Sequence, residues 1–351
     1  MEAETPVAFD GAPRIVIWEM TRACALACRH CRAEAIPARH PDELATDEAF
    51  ALVDQVAECG APLFILTGGD PLMRNDLFDI VAYAVQRGLP VAVSPSATGR
   101  LTANAIRRLA AAGCRTISLS LDAPDADTHD AFRGVKGSFL RTLAAADDAR
   151  EYGVRVQVNT TLARHDVHLL REFVPLLHEV GAAAWSVFAL IPVGRAAVGD
   201  MLTADELEAA LLELHDIASR LSIPVKTTEA PQYRRIRIQR ADAGGEPRAS
   251  WRPGIGDGRG FVFVSHVGDV QPSGFFPTYT AGNVRQRRLL DLYRNDPAMR
   301  RLRRPETFEG KCGRCEFRNV CGGSRARAAA LTGNPFASDP GCPYLPLDMR
   351  S

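Results

Sequence analysis

The chain has 351 residues, 46% of them apolar, with 42 basic side chains balanced by 42 acidic ones. That balance gives no general attraction to nucleic acid or to an anionic membrane surface, and no apolar run approaches a membrane span. The length allows one large domain and a smaller one.

Residues 1–12 read as a tail. The opening MEAETPVAFDGAPR is acidic and lacks the basic start and apolar core of a secretory signal. A cytoplasmic location is expected, where thiols stay reduced. Nine cysteines there point to metal or redox chemistry rather than disulfides.

Residues 13–222 alternate strand and helix. The strand segments are RIVIWEM, PLFILTGG, PVAVSPSA, TISLSLDA, RVQVNTTL and AAWSVFALIP, apolar and β-branched as strands buried on both faces should be. Amphipathic stretches between them predict helices over Asp47–Cys59, Asn75–Arg87, Asn104–Ala112, Phe139–Tyr152 and His168–Val180, stopping at Gly60, Gly88, Gly113, Gly153 and Gly181. A further helix over Ala204–Leu221 closes the unit. Six βα units predict an α/β fold, an open (β/α)6 partial barrel with right-handed crossovers and ligands at the carboxyl ends of the strands. Residues 223–259, rich in Gly, Pro and Arg, read as linker and loop. Residues 260–351 read as a small module that opens with a hairpin turning at Gly268-Asp269 and folds around metal. VRQRRLLDLYRNDPAMRRLRRP reads as a basic surface helix.

Seven cysteines form two groups. Cys24, Cys28 and Cys31 follow the first strand; Cys312, Cys315, Cys321 and Cys342 lie near the C-terminus. Cys59 and Cys114 read as small buried hydrophobes. Three thiols are one short of a structural zinc site, and catalytic zinc usually mixes in His. A [4Fe–4S] cube held by three cysteines keeps one iron open. The C-terminal spacing by itself is compatible with either zinc or iron–sulfur.

The CxxxCxxC motif in EMTRACALACRHCRAEA resembles the signature of the radical S-adenosylmethionine superfamily, and TGGDP at Thr67–Pro71 is similar to the Gly-Gly-Glu-Pro stretch found there, with Asp70 in place of Glu. The resemblance implies a [4Fe–4S] cluster on Cys24, Cys28 and Cys31 that binds S-adenosylmethionine, with the backbone at Gly68, Gly69 and Asp70 meeting the cofactor. It implies reductive cleavage to a 5′-deoxyadenosyl radical that abstracts hydrogen from the substrate. Ser94, Ser96, Ser120, Asp122, Arg133, Asn159 and Arg195 are further cofactor-binding candidates, and His30 is expected to pack against adenine or the cluster. The C-terminal cysteines resemble a SPASM or twitch domain. Ser273 stands where the full pattern has cysteine, which implies one auxiliary [4Fe–4S] cluster with four thiolates. CGGSRARAAALTG and GFVFVSHVGDVQPSGFF are similar to enzymes of alternative haem and haem d1 biosynthesis.

That branch implies a small-molecule substrate, with an iron porphyrin as the leading candidate, oxidative decarboxylation of its propionates, and a reductant such as flavodoxin or ferredoxin. Arg234, Arg235 and Arg237, with Arg252 and Arg259 beyond, are read as carboxylate binders. Rival readings are maturation of a ribosomally made peptide, oxidation or decarboxylation of another small molecule, and a non-enzymatic iron–sulfur or zinc protein; the short N-terminal segment argues against an added peptide-binding domain but not against peptides. His165, His168 and His266 are candidate haem-type ligands by location.

Overall fold

The computed structural model describes residues 9–60, 62–243 and 253–350. Its strands are β1 (Ile15–Glu19), β2 (Leu63–Thr67), β3 (Val91–Val93), β4 (Thr116–Ser120), β5 (Arg155–Leu162), β6 (Ala184–Ala189), β7 (Val225–Thr228), β8 (Phe261–Val264), β9 (Asp269–Gln271) and β10 (Gly282–Asn283). They form one sheet in the order β10-β9-β8-β1-β2-β3-β4-β5-β6-β7. Neighbours from β1 to β7 pair in parallel, β8 joins parallel to β1, and β9 and β10 are antiparallel. The six expected strands are present, and the sheet extends beyond both their edges.

The predicted helices form at Thr46–Ala57, Leu77–Gln86, Ala103–Ala111, Ser138–Glu151, Phe173–Glu179 and Ala204–Ala218. Thr102 and Thr203 cap two of them by accepting from the N–H groups of Ala105 and Glu206. The five glycines expected to stop helices all take positive φ, where a side chain would be strained. Val16, Trp18, Phe64, Leu66, Ile117, Val158 and Trp185 point from the sheet into the helical layer and are buried. Each fully buried large apolar side chain there contributes about 1.5–3 kcal/mol.

The opposite face departs from the expectation of strands buried on both sides. β5 alternates strictly, with Gln157, Asn159 and Thr161 half-buried between buried neighbours. By register, Glu19, Thr67, Ser94, Ser120, Asn159, Ser186, Phe188, Lys226 and Phe263 share that lumen face.

The stretch read as linker is in part ordered structure. It contributes β7 and a helix at Gln232–Ala243 that packs against Ala204–Ala218. Lys226, Thr227 and Thr228 gave β7 no apolar signal, and four arginines masked the buried Tyr233 and Ile236 of the helix. Residues 260–283, read as part of the cysteine module, instead complete the barrel sheet through β8 to β10, with the hairpin turning at Gly268 (φ 90°). The basic surface helix is two helices, Leu289–Asn295 and Pro297–Leu302, divided at Asp296, which caps the second. Leu289, Leu292, Tyr293 and Met299 bury their inner face, while Arg285 and Arg288 pair with Glu48 and Glu58.

The described end of the tail is docked. The Phe9 carbonyl accepts from Tyr293 Oη at 2.7 Å, and Asp10 pairs with Arg303 and Arg304. Cys59 and Cys114 are buried as expected. Among the described residues no helix is long and apolar enough to cross a membrane.

Candidate active site

The three N-terminal cysteines lie in the loop after β1, at the carboxyl rim of the sheet. Cys24 and Cys28 are each 8% exposed and pack with Leu26; Cys31, Ala35 and Val135 close around them. Main-chain contacts from several rim segments fix this loop. The N–H groups of Gly69 and Asp70 donate to the carbonyls of Thr21 and Ala23, both at 2.7 Å. Arg195 donates from its backbone N to the Cys31 carbonyl at 3.1 Å and from Nε to the Cys28 carbonyl at 3.0 Å. A Cβ on Gly69 would lie 2.5 Å from the Ala23 carbonyl oxygen, and one on Gly194 would lie 2.4 Å from that of Cys31. Only glycine allows the segments to approach so closely.

Donors point at the sulfur atoms. Leu26 N lies 3.3 Å from Cys24 Sγ, Ala35 N 3.4 Å from Cys31 Sγ, and Arg133 Nη1 3.7 Å from Cys28 Sγ. A thiol is a weak acceptor, whereas a deprotonated sulfur bound to iron is a good one, and such contacts tune iron–sulfur clusters. The loop therefore fits a cluster with three cysteine ligands.

The rim candidates divide by what their side chains do. Ser94, Ser120 and Asn159 share the lumen face by register, and all three are half-buried. Gly68 and Gly69 brace the cysteine loop. The Asp70 side chain is a buried brace: its carboxylate accepts from Leu72 N, Ser96 N and Thr98 Oγ1, which organises the exit of β3. Ser96 donates to the Gly69 carbonyl at 2.7 Å and lies 3.6 Å from Cys24 Sγ. Asp122 and Arg133 form a buried ion pair at 2.5 Å. Burial opposes the Asp122 charge, but Arg133 holds its carboxyl below the ordinary range. That pair and the Arg195 contacts make these three residues supports of the cysteine loop.

His30 stacks on Phe132 with ring centroids 4.1 Å apart, and Phe132 in turn meets His165 at 5.0 Å. Burial pushes the His30 imidazole down to about 3, so it is a neutral packing surface. His168 is exposed in the 3-10 stretch Val167–Glu172.

Sequence reading missed Glu19 and Arg32. Glu19 ends β1, accepts from Arg32 Nη1 at 2.9 Å and lies 2.8 Å from His266 Nδ1. Arg32 stacks over Phe263 at 4.6 Å. The only signal was a single acid closing a buried apolar strand.

The four C-terminal cysteines line one shared, partly solvent-open hollow together with Arg235, Arg318 and Tyr344. Asp339 N and Arg325 Nη2 lie 3.3 and 3.5 Å from Cys312 Sγ, and Gly323 N lies 3.5 Å from Cys321 Sγ. Among the described residues, no three His, Cys, Asp or Glu side chains converge as ligands of one metal ion. The convergence of four cysteines on one hollow and the donors on the sulfurs of Cys312 and Cys321 fit a cluster. Burial pushes the thiols of Cys315 and Cys321 up to about 11 and about 12.

Buried charges hold this module. Arg327 pairs with Asp339 at 3.0 Å, and Gln232 Nε2 donates to Asp339 at 2.7 Å. Ser273, at the position where the SPASM pattern has cysteine, donates to Glu229 at 3.2 Å. Burial, and then the neighbouring Asp257, push Glu229 well above the carboxylate range.

The arginines read as substrate binders belong here instead. Arg234 donates to the carbonyls of Val320 and Ile255, and Arg235 pairs with Glu208 and stacks on Tyr344 at 4.7 Å. Buried guanidinium groups need such partners, and these two tie the Gln232–Ala243 helix to the cysteine module. Arg237 is exposed on the same helix, and Arg252 lies outside the described residues.

The radical SAM superfamily pattern matches residues 18–177. The chain is 42% identical over 349 residues to an AdoMet-dependent heme synthase of Oleidesulfovibrio alaskensis, covering 96% of this chain and 89% of that one. A heme synthase of the same designation from Methanosarcina barkeri is 39% identical, with 97% and 99% covered. A pre-heme d1 synthase of Dinoroseobacter shibae is 31% identical, with 95% and 87% covered. In fold, the chain matches the crystal structure of Streptococcus suis SuiB bound to S-adenosylmethionine with a TM-score of 0.73 at 17% identity, covering 95% of this chain and 78% of SuiB.

Proposed function

This chain belongs to the radical SAM superfamily, and from that premise we propose that it oxidatively decarboxylates propionate side chains of an iron porphyrin. The names of its 39–42% identical relatives support a tetrapyrrole substrate in the haem branch. The observation that carries the chemistry is the three-cysteine loop at the strand ends, with N–H donors aimed at each sulfur.

Cys24, Cys28 and Cys31 would hold a [4Fe–4S] cluster, and Gly68 and Gly69, with Ser94, Ser120 and Asn159 on the lumen face, would receive S-adenosylmethionine. With one electron, the bound cofactor supplies a 5′-deoxyadenosyl radical that takes a hydrogen atom. The chain's own task is to hold the substrate carbon in place and exclude other hydrogen donors. Loss of a hydrogen atom from the propionate carbon next to the ring, departure of carbon dioxide and removal of one electron leave a vinyl group. Cys312, Cys315, Cys321 and Cys342 would hold an auxiliary [4Fe–4S] cluster as the acceptor of that electron. A flavodoxin or ferredoxin would be the donor, in a reducing cytoplasm. Phe188, Phe263 and Phe275 offer aromatic surface beside the cysteine loop, and Lys226 offers a cation on the lumen face.

The test is anaerobic. Protein reconstituted with iron and sulfide is reduced and mixed with S-adenosylmethionine and iron coproporphyrin III, and 5′-deoxyadenosine and porphyrin mass are followed together. Cofactor cleavage coupled to porphyrin mass losses of carbon dioxide and two hydrogens per propionate, one abstracted as an atom and one the carboxyl proton, is the expected result. Cleavage with unchanged porphyrin overturns the substrate and directs the search to peptides. Absence of cleavage with intact, reducible clusters overturns the chemistry.

A further inference from the structure

His266 is anchored through one ring nitrogen. Its Nδ1 lies 2.8 Å from Glu19 Oε1, and among the described residues no protein group hydrogen-bonds Nε2. A carboxylate on one imidazole nitrogen fixes the N–H there and leaves the lone pair on the other, as proteins commonly do when they present histidine to a metal. Glu19 is 4% exposed. Burial works against its charge, but Arg32 and His266 outweigh it and keep the carboxylate ionised.

The pair stands where a substrate would pass. Glu19 is the last residue of β1, on the lumen face and just ahead of the cysteine loop. His266 lies in the turn after β8, and β8 runs parallel to β1, so both residues reach the same rim. Arg32, next to Cys31, bridges Glu19 to the aromatic rings of Phe263 and Phe275.

The other histidines near the rim are placed differently. His129 faces Asp122 N with Nδ1 and Ser138 Oγ with Nε2. His30 stacks inside the cysteine loop, and His40 meets the His266 ring edge-on while accepting from Asp42 N. His165 is exposed, 3.6 Å from Asp166.

We propose that His266 is the protein ligand to the iron of the porphyrin substrate, with Glu19 as its positioning residue. This rests on the tetrapyrrole reading above. A flat, nearly fourfold-symmetric ring held by apolar contacts alone slides and turns. A bond to its central iron fixes the centre, so that one propionate carbon can be kept near the site of hydrogen abstraction.

The experiment uses the full-length reconstituted protein with clusters oxidised and no S-adenosylmethionine. Ferric coproporphyrin III and the metal-free porphyrin are titrated separately, and the ferric centre is read by electron paramagnetic resonance and magnetic circular dichroism. In the wild type a nitrogen axial ligand is expected. His266→Ala should lose that signature, regain it with free imidazole, and bind the iron porphyrin at least about tenfold more weakly, with metal-free binding unchanged. Glu19→Gln should keep the ligand but weaken iron-porphyrin binding about tenfold. Retention of the signature in His266→Ala, or its loss in His165→Ala instead, overturns the proposal. Binding of both porphyrins by the wild type without a nitrogen ligand overturns it too, yet leaves the tetrapyrrole reading standing. If neither porphyrin binds, both fall.

Discussion

The loop carrying Cys24, Cys28 and Cys31 is held mainly by main-chain atoms. Carbonyls of Thr21, Ala23, Cys28 and Cys31 accept from residues at the ends of β2 and β6, and glycines let those segments touch it. The module around Cys312, Cys315, Cys321 and Cys342 has little regular structure and is held by side chains: the Arg327–Asp339 pair, Gln232, Arg325, and Ser324 donating to the buried carboxyl of Glu229. The difference matches the two proposed tasks. A site that would present an open iron in one orientation is set on rigid strand ends. A site that four thiolates would close needs only to be kept together, and buried charge does that for a chain of loops.

Replacing Cys28 with Ala should abolish 5′-deoxyadenosine formation while the C-terminal site keeps its iron, read by product chromatography and iron analysis on the same sample. Loss of iron from both sites would break the separation between them. Gly69→Ala should lower cofactor cleavage about hundredfold, because the added methyl collides with the backbone carbonyls of Arg22 and Ala23 rather than with a movable side chain. The C-terminal iron should be unaffected. Asp339→Asn should cost about 3–5 kcal/mol of stability, since it leaves the Arg327 guanidinium buried without its charge partner. Denaturant unfolding measures the loss, and hydrogen exchange should place it in the C-terminal module, with the β1 loop still protected.

The smallest effect concerns pH. Burial raises the thiols of Cys24, Cys315, Cys321 and Cys342, so they are protonated in metal-free protein at neutral pH, whereas sulfur bound to iron is not. Cluster loading should therefore release protons and tighten as pH rises from about 7 to 9. A pH indicator in weak buffer measures the release, and replacement of the C-terminal cysteines should reduce it.

Legibility followed burial and spacing. The six central strands and most helices between them could be read because their apolar periodicity reports the helical layer directly; the short, polar helix Ala126–Arg133, which buries only His129 and Phe132, could not. The cysteine triplet could be read because its spacing is covalent. Ser120 ends β4 and Ser94 directly follows β3, as expected, whereas Asn159 lies inside β5, which runs on to Leu162; all three share the lumen face by register. β7 could not be read, since Lys226 and Thr228 face the lumen and carry no apolar signal. Arg234 and Arg235 were misread because charge alone does not reveal Glu208, Tyr344 or the carbonyls that receive them. Glu19 gained meaning only when the fold brought His266 and Arg32 to it.

The place of β1 between β2 and β8 has a consequence for how the protein is made. His266 lies 247 residues after Glu19, so a ribosome must deliver most of the chain before the free side of β1 finds its partner. Until then an apolar strand carries an unpaired edge, which invites association between nascent chains. Closure by so distant a segment also slows folding. Slower translation or co-expressed chaperones should accordingly raise the soluble yield of this protein more than that of a truncated sheet whose first strand already lies at an edge.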